Sequence, residues 1–153
     1  MSAEKNLQDI INYAIGKEQD AIDFYTEVAE KVKVKTVAEE LLKIKAMEEG
    51  HKKKLENIDL EKFVASTRKD RDIMDLKIAD YVQKDTVTPD MTWQDVLNIA
   101  MHREFDAMKL YQNLAQSTSD PAVSELFEQL ALDEKEHKLF FEKKWDDDIL
   151  TEN

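Results

Sequence analysis

Apolar residues recur at alternating steps of four and three along four long stretches of the 153-residue chain, the period of helices that bury one face. The first stretch, about 4–31, carries Ile11, Ile15, Ile22 and Ala29 on one stripe. The second, about 36–57, carries Val37, Leu41, Ile44 and Leu55, and its stripe runs on to Ile58. The third, about 92–116, carries Leu97, Met101, Met108 and Ala115, and the fourth, about 121–146, Val123, Phe127, Leu130 and Phe141. Thr36-Val37-Ala38-Glu39 reads as a capping box at the second start. Asp120-Pro121 reads as a cap followed by proline at the first helical position of the fourth. Short links pair the first stretch with the second and the third with the fourth, which predicts two antiparallel hairpins. Residues 58–91 between them are charged, and Met74, Ile78 and Tyr81 predict a short helix near 70–84. The expected fold is all-α: one domain over 1–153, a four-helix bundle with a long crossover between the second and third helices. The acidic tail from Asp146 is expected to fray.

The two hairpins repeat. At a constant offset of 86 residues and without a gap, 9–56 matches 95–142 at 14 of 48 positions. The identities include Asp9/Asp95, Glu18/Glu104, Ala21/Ala107, Tyr25/Tyr111, Glu48/Glu134 and His51/His137. Shared helical periodicity does not readily align two tyrosines and two of only three histidines. A duplicated hairpin, related by a pseudo-twofold axis, accounts for the register.

Composition narrows the class. Two glycines and two prolines favour long helices with few turns. The absence of cysteine excludes a disulfide framework, a thiolate metal site and a cysteine nucleophile. A net charge of −12 disfavours nucleic acid and anionic membrane as partners. No apolar run nears the roughly 20 residues of a membrane span, and the first residues lack the basic and apolar regions of a signal peptide. A cytoplasmic location is therefore expected.

Each apolar stripe is interrupted by polar residues at a matching depth. The first helix has Glu18 and Tyr25, the third Glu104 and Tyr111, the second Glu48 and His51, and the fourth Glu134 and His137. Glutamate fills 17 of 153 positions, so three histidines produce roughly a third of one Glu-x-x-His by composition, yet two occur in register. Residues three apart share a helix face, so Glu48 with His51, and Glu134 with His137, address one zone. Burying four carboxylates without compensation would cost several kcal/mol each, comparable with a domain's whole net stability of about 5–15 kcal/mol. Two divalent cations balance four carboxylates and bind neutral imidazoles. A mixed oxygen and imidazole donor set suits iron or manganese, with zinc as an adventitious occupant. The alternative is that these positions only set bundle register.

One Glu from each of two helices plus Glu-x-x-His from each of the other two is the donor set of ferritin-like di-iron and di-manganese proteins. The chain resembles that superfamily over about 4–146, closest to its rubrerythrin-type branch. The resemblance rests on Glu18 with Tyr25, Glu48-Glu49-Gly50-His51, Glu104 with Tyr111, Glu134-Lys135-Glu136-His137 and the entry Thr88-Pro89-Asp90-Met91-Thr92. It implies that Glu48 and Glu134 bridge two iron ions, that Glu18 with His51 completes one, and that Glu104 with His137 completes the other. It implies a non-haem di-iron oxidoreductase that reduces peroxide or dioxygen. Rubrerythrins add a four-cysteine rubredoxin-like module, which has no counterpart in this sequence, so an external donor such as a rubredoxin-like protein is expected. They also carry a further glutamate one turn after the third-helix ligand, where this chain has Ala107, which makes the site more symmetric and closer to that of bacterioferritin.

Tyr25 and Tyr111 read either as hydrogen-bond donors to the ligands or as plain core tyrosines. His102 is expected at the surface, and Glu49, Asp133 and Glu136 as solvated carboxylates, although Asp133 is also placed to orient a histidine across the bundle. Met101 and Met108 read as packing rather than haem ligands. Gly16 and Gly50, inside helices near the proposed ligands, suggest a close backbone approach or local opening. A homodimer is expected, with the hairpins either retained or exchanged between chains. A ferritin-like ferroxidase or iron-storage protein is the second expected function, although few residues follow the fourth helix where many cage-forming ferritins add a fifth. A non-catalytic metal-binding bundle is the third.

Overall fold

The computed structural model describes residues 3–67 and 87–150. Five α-helices run through them: α1 (Ala3–Lys31), α2 (Lys35–Glu56), α3 (Leu60–Ser66), α4 (Trp93–Gln116) and α5 (Pro121–Trp145). The fold is all-helical. α1 packs along α2, and α4 along α5, so the two hairpins are the principal units, and they meet within one chain. No helix among the described residues is long and apolar enough to cross a membrane.

Local chemistry sets most helix ends. At α4, Thr92 accepts from the Asp95 amide while the Asp95 carboxylate accepts from the Thr92 amide, both at 3.0 Å, a reciprocal box worth about 1 kcal/mol. Asp120 caps α5 by accepting from the Val123 amide at 2.9 Å, with Pro121 in the first turn. The capping box read at Thr36–Glu39 does not form. α2 starts one residue earlier, with Val34 at the cap position and no side-chain cap bond. The three-residue link after α1 delivers an extended backbone directly into Lys35, so Thr36 is already inside the first turn.

α3 was not anticipated by the periodicity, because seven residues supply too few apolar positions to show a period. Asp59 caps it through the Lys62 amide, and Phe63 is fully buried, its ring centroid 5.4 Å from that of Phe127. Its end is tied to the α4–α5 turn, where the Ser119 amide donates to the Ser66 carbonyl at 2.8 Å. The helix expected near 70–84 lies outside the described residues. The acidic tail does not fray through Leu150: Asp146–Leu150 forms a π-helical stretch, and Trp93 Nε1 donates to Asp148 Oδ2 at 2.9 Å. Nothing lies within 4 Å of a Cβ built at Gly16 or Gly50, so no close backbone approach explains either glycine.

The apolar interior falls into two clusters. One gathers Ile10, Ile11, Leu55, Phe63, Leu114 and Phe127, and the other Phe24, Val28, Leu41, Ile44, Leu97 and Phe141. Between them lies a polar layer.

Candidate metal centre

The layer consists of Glu18 on α1, Glu48 and His51 on α2, Glu104 on α4, and Glu134 and His137 on α5. All six are buried, five of them at 1–2% exposure and His137 at 7%. One donor atom each from Glu18, Glu48, His51 and Glu134 lies within 4.8 Å of the others, and the same holds for Glu48, Glu104, Glu134 and His137. Glu48 and Glu134 belong to both quartets. The 86-residue offset exchanges one quartet with the other, so the duplicated sequence has become a duplicated half-site.

Distances define the faces. His51 Nδ1 lies 2.8 Å from Glu134 Oε1, 3.4 Å from Glu48 Oε1 and 3.7 Å from Glu18 Oε1. His137 Nδ1 lies 3.3 Å from Glu48 Oε1, 3.5 Å from Glu104 Oε2 and 4.0 Å from Glu134 Oε1. The two imidazole rings are 6.3 Å apart and nearly parallel. Despite this proximity, six buried atoms have no partner in hydrogen-bond geometry: Glu18 Oε2, Glu48 Oε1, His51 Nδ1, Glu104 Oε2, Glu134 Oε1 and His137 Nδ1. Each residue of the layer contributes one. Buried polar atoms are almost always satisfied, so six orphans converging on one volume mark the place of a missing partner. A divalent cation would accept lone pairs from carboxylates and neutral imidazoles at once, so the donor set fits one.

The second oxygens of Glu18 and Glu104 are engaged. Tyr25 donates to Glu104 Oε1 at 2.6 Å, and Tyr111 donates to Glu18 Oε1 at 2.5 Å. The tyrosines are therefore donors to the layer, each from one hairpin to the carboxylate of the other. Burial pushes both phenols well above their ordinary range, and the facing Glu104 or Glu18 charge adds to it, so both stay protonated.

Charge in the metal-free layer is redistributed. Burial and the neighbouring Glu48 push the Glu18 carboxyl up to about 8. Burial also raises Glu134 well above the carboxylate range, with Glu104 and Glu48 adding to it. Burial acts against charge on Glu48, but the facing His137 and His51 outweigh it and hold Glu48 below its ordinary value. Burial likewise opposes charge on the rings, yet the facing carboxylates push His51 up to about 11 and His137 to about 10. Without a cation, protons neutralise the layer.

Of the two readings of Asp133, the structure matches the one that sets it against a histidine across the bundle, and not the solvated carboxylate. It is only 7% exposed, its Oδ2 lies 2.9 Å from His51 Nε2, and Gln129 donates to its Oδ1 at 3.1 Å. Position 133 lies about 100° round α5 from Glu134, a rotation that turns it toward α2 instead of solvent. The pair Gln129 and Asp133, polar residues four apart beside a ligand motif, was the available signal. His102 is exposed as expected, its Nδ1 2.8 Å from the Asn98 carbonyl.

A cavity of about 120 Å³ opens onto the four carboxylates from the α1–α4 side, and neither His51 nor His137 lines it. Ala21 and Ala107, equivalent under the repeat, leave its walls short, and Lys17 and Arg103 also border it.

Residues 95–151, covering most of α4 and all of α5, match the rubrerythrin family model. A solved structure of a hypothetical protein from Pyrococcus furiosus aligns over 92% of this chain and 88% of its own, with a TM-score of 0.64 at 20% identity, a likeness of fold. No curated protein matches. The family match and the all-helical fold support the ferritin-like, rubrerythrin-type assignment.

Proposed function

We propose that this chain, of the ferritin-like rubrerythrin type, is a non-haem di-iron oxidoreductase that reduces peroxide or dioxygen with electrons from an external donor. The observation that carries the reading is the convergence of six orphaned buried donor atoms into two quartets sharing Glu48 and Glu134. In it, Glu18 and His51 would hold one iron, Glu104 and His137 would hold the other, and Glu48 and Glu134 would serve both. The iron pair, when bound, supplies two electrons, which reduce one peroxide with two protons to two waters.

The protein's own part follows from the geometry. The histidines close the α2–α5 side, so the oxidant enters on the α1–α4 side, through the cavity between Ala21 and Ala107. At about 120 Å³ the cavity suits a few water-sized molecules, since one water occupies about 30 Å³ of liquid. Tyr25 and Tyr111 hold Glu104 and Glu18 in place and keep their phenolic protons at the edge of the layer. The symmetric donor set, with Ala107 in place of a further glutamate, favours ferroxidase activity with iron storage as the second reading. A particle of many subunits in size-exclusion chromatography would support storage, and a dimer would count against it.

Rapid mixing tests the main reading. Diferrous protein mixed with peroxide is expected to oxidise far faster than free ferrous iron, and Glu48→Ala and Glu134→Ala to abolish that advantage. Wild-type rates equal to those of free iron would refute the proposal.

A further inference from the structure

The repeat maps Glu18 on Glu104, Glu48 on Glu134 and His51 on His137, and the crossed tyrosine bonds obey the same symmetry. One polar contact does not. Asp133 meets His51 Nε2 at 2.9 Å from a buried position, with Gln129 on its other oxygen. The offset maps Asp133 on Met47, which is 41% exposed, and Gln129 on Lys43. Among the described residues no side chain hydrogen-bonds His137 Nε2; the carboxylates that face this ring all approach Nδ1.

From this broken symmetry we infer that the two metal positions are inequivalent: the one framed by Glu18 and His51 fills first and more tightly, because Asp133 presets the His51 ring. The inference rests on the metal-centre reading above. Asp133 Oδ2 lies 2.9 Å from Nε2, where it accepts the Nε2–H and turns Nδ1 toward the layer. Ring orientation is thereby fixed before a cation arrives, and a cation displaces only the Nδ1 proton. His137 has no such support and must acquire its orientation on binding. Glu48 and Glu134 are common to the two positions and cancel from the comparison. Losing an outer hydrogen-bond partner of a ligating histidine typically weakens metal affinity about 10–100-fold, which sets the expected difference. Asp133 is thus a positioning residue, acting through His51.

Cobalt(II) is the probe, since it binds such donors without oxidation and reports through its visible absorbance and through paramagnetically shifted imidazole N–H resonances. Repulsion between two cations would also separate two binding steps, so the variants decide the matter. Titration of apo wild type is expected to show two steps, with the His51 N–H resonance shifted first. Asp133→Asn should weaken the first step about 10–100-fold. Met47→Asp, a substitution at an exposed position that spares the core, should tighten the second step. The double variant should transfer the first shifted resonance to His137. If both single variants leave both steps unmoved, or the His137 resonance shifts first in wild type, the inference falls while the metal-centre reading stands. Failure of wild type to bind cobalt at all overturns both.

Discussion

Removing one hydroxyl from the polar layer is the smallest perturbation that separates a structured site from a passive core. In Tyr111→Phe the ring keeps its place, stacked on Phe127 at 6.4 Å and 14°, so packing is retained. What is lost is the 2.5 Å bond to Glu18 Oε1, leaving that oxygen buried and without a donor. An unsatisfied buried acceptor costs about 1–3 kcal/mol. Taking about 2 kcal/mol, and about 2–4 °C per kcal/mol for a domain of this length, the melting temperature should fall by about 4–8 °C. Tyr25→Phe should behave alike, because it breaks the 2.6 Å bond to Glu104 while its ring stays stacked on Phe141 at 5.6 Å. The hydroxyls also orient ligands, so each variant should lose metal affinity by about 10–100-fold. The assay is thermal unfolding by circular dichroism with chelator and with excess metal, alongside a metal titration. If both variants melt within about 1 °C of wild type, against the several degrees expected from the same scale, and bind metal equally well, the tyrosines are plain core residues.

Two further outcomes follow from the same layer. Metal-free protein should lose stability as pH rises. Glu18, lifted from 4.5 to about 8, and His51 and His137, lifted from 6.5 to about 11 and about 10, stabilise fully below their unfolded values and lose that contribution as pH passes their folded ones. Glu48 runs the other way, contributing above 4.5 and losing it only in strong acid, so it does not offset the fall above neutrality. Melting temperature in chelator should therefore drop between pH 6.5 and 10, and stabilisation by added metal should grow over that span; a flat metal-free profile would refute this charge assignment. At the cavity, Ala107→Leu should leave metal stoichiometry unchanged, cost about 1–3 kcal/mol by overpacking, and slow oxidation by peroxide about tenfold or more, a barrier rise of about 1.4 kcal/mol per factor of ten. An unchanged rate would show that the oxidant enters elsewhere.

Much of this arrangement was legible because glutamate and histidine interrupt otherwise apolar stripes, and because the 86-residue repeat fixes which interruption faces which. On α2 and α5 every stripe residue from Val37 to Leu55 and from Val123 to Phe141 is buried. What stayed open or escaped has physical causes. The choice between the two readings of Asp133 stayed open because it sits at the flank of its stripe, and whether a flank faces water or a neighbouring helix depends on the crossing of α5 with α2, which one helix's sequence does not encode. α3 is too short to show a period, and its position follows from Phe63 reaching Phe127 and from Ser66 meeting the α4–α5 turn. The capping box at Thr36 fails because Thr36 and Glu39 have the right residue types for a cap, while the short link after Lys31 has already begun the helix.

The two readings raised for the interrupted stripes, a metal centre and a device that sets bundle register, describe one geometry. Each tyrosine ring belongs to an apolar cluster and each hydroxyl to the polar layer: Tyr111 packs with Phe127 in one core and Tyr25 with Phe141 in the other. Each hydroxyl reaches a carboxylate of the opposite hairpin, so sliding the hairpins past each other by one turn, about 5.4 Å, breaks both bonds together. The same slide would carry Glu18, Glu48 and His51 away from Glu104, Glu134 and His137 and dissolve both quartets. Conversely, a cation held by one quartet ties α1 or α4 to α2 and α5 at a fixed height. The burial that makes uncompensated carboxylates costly and the register that makes them a site therefore come from the same six side chains.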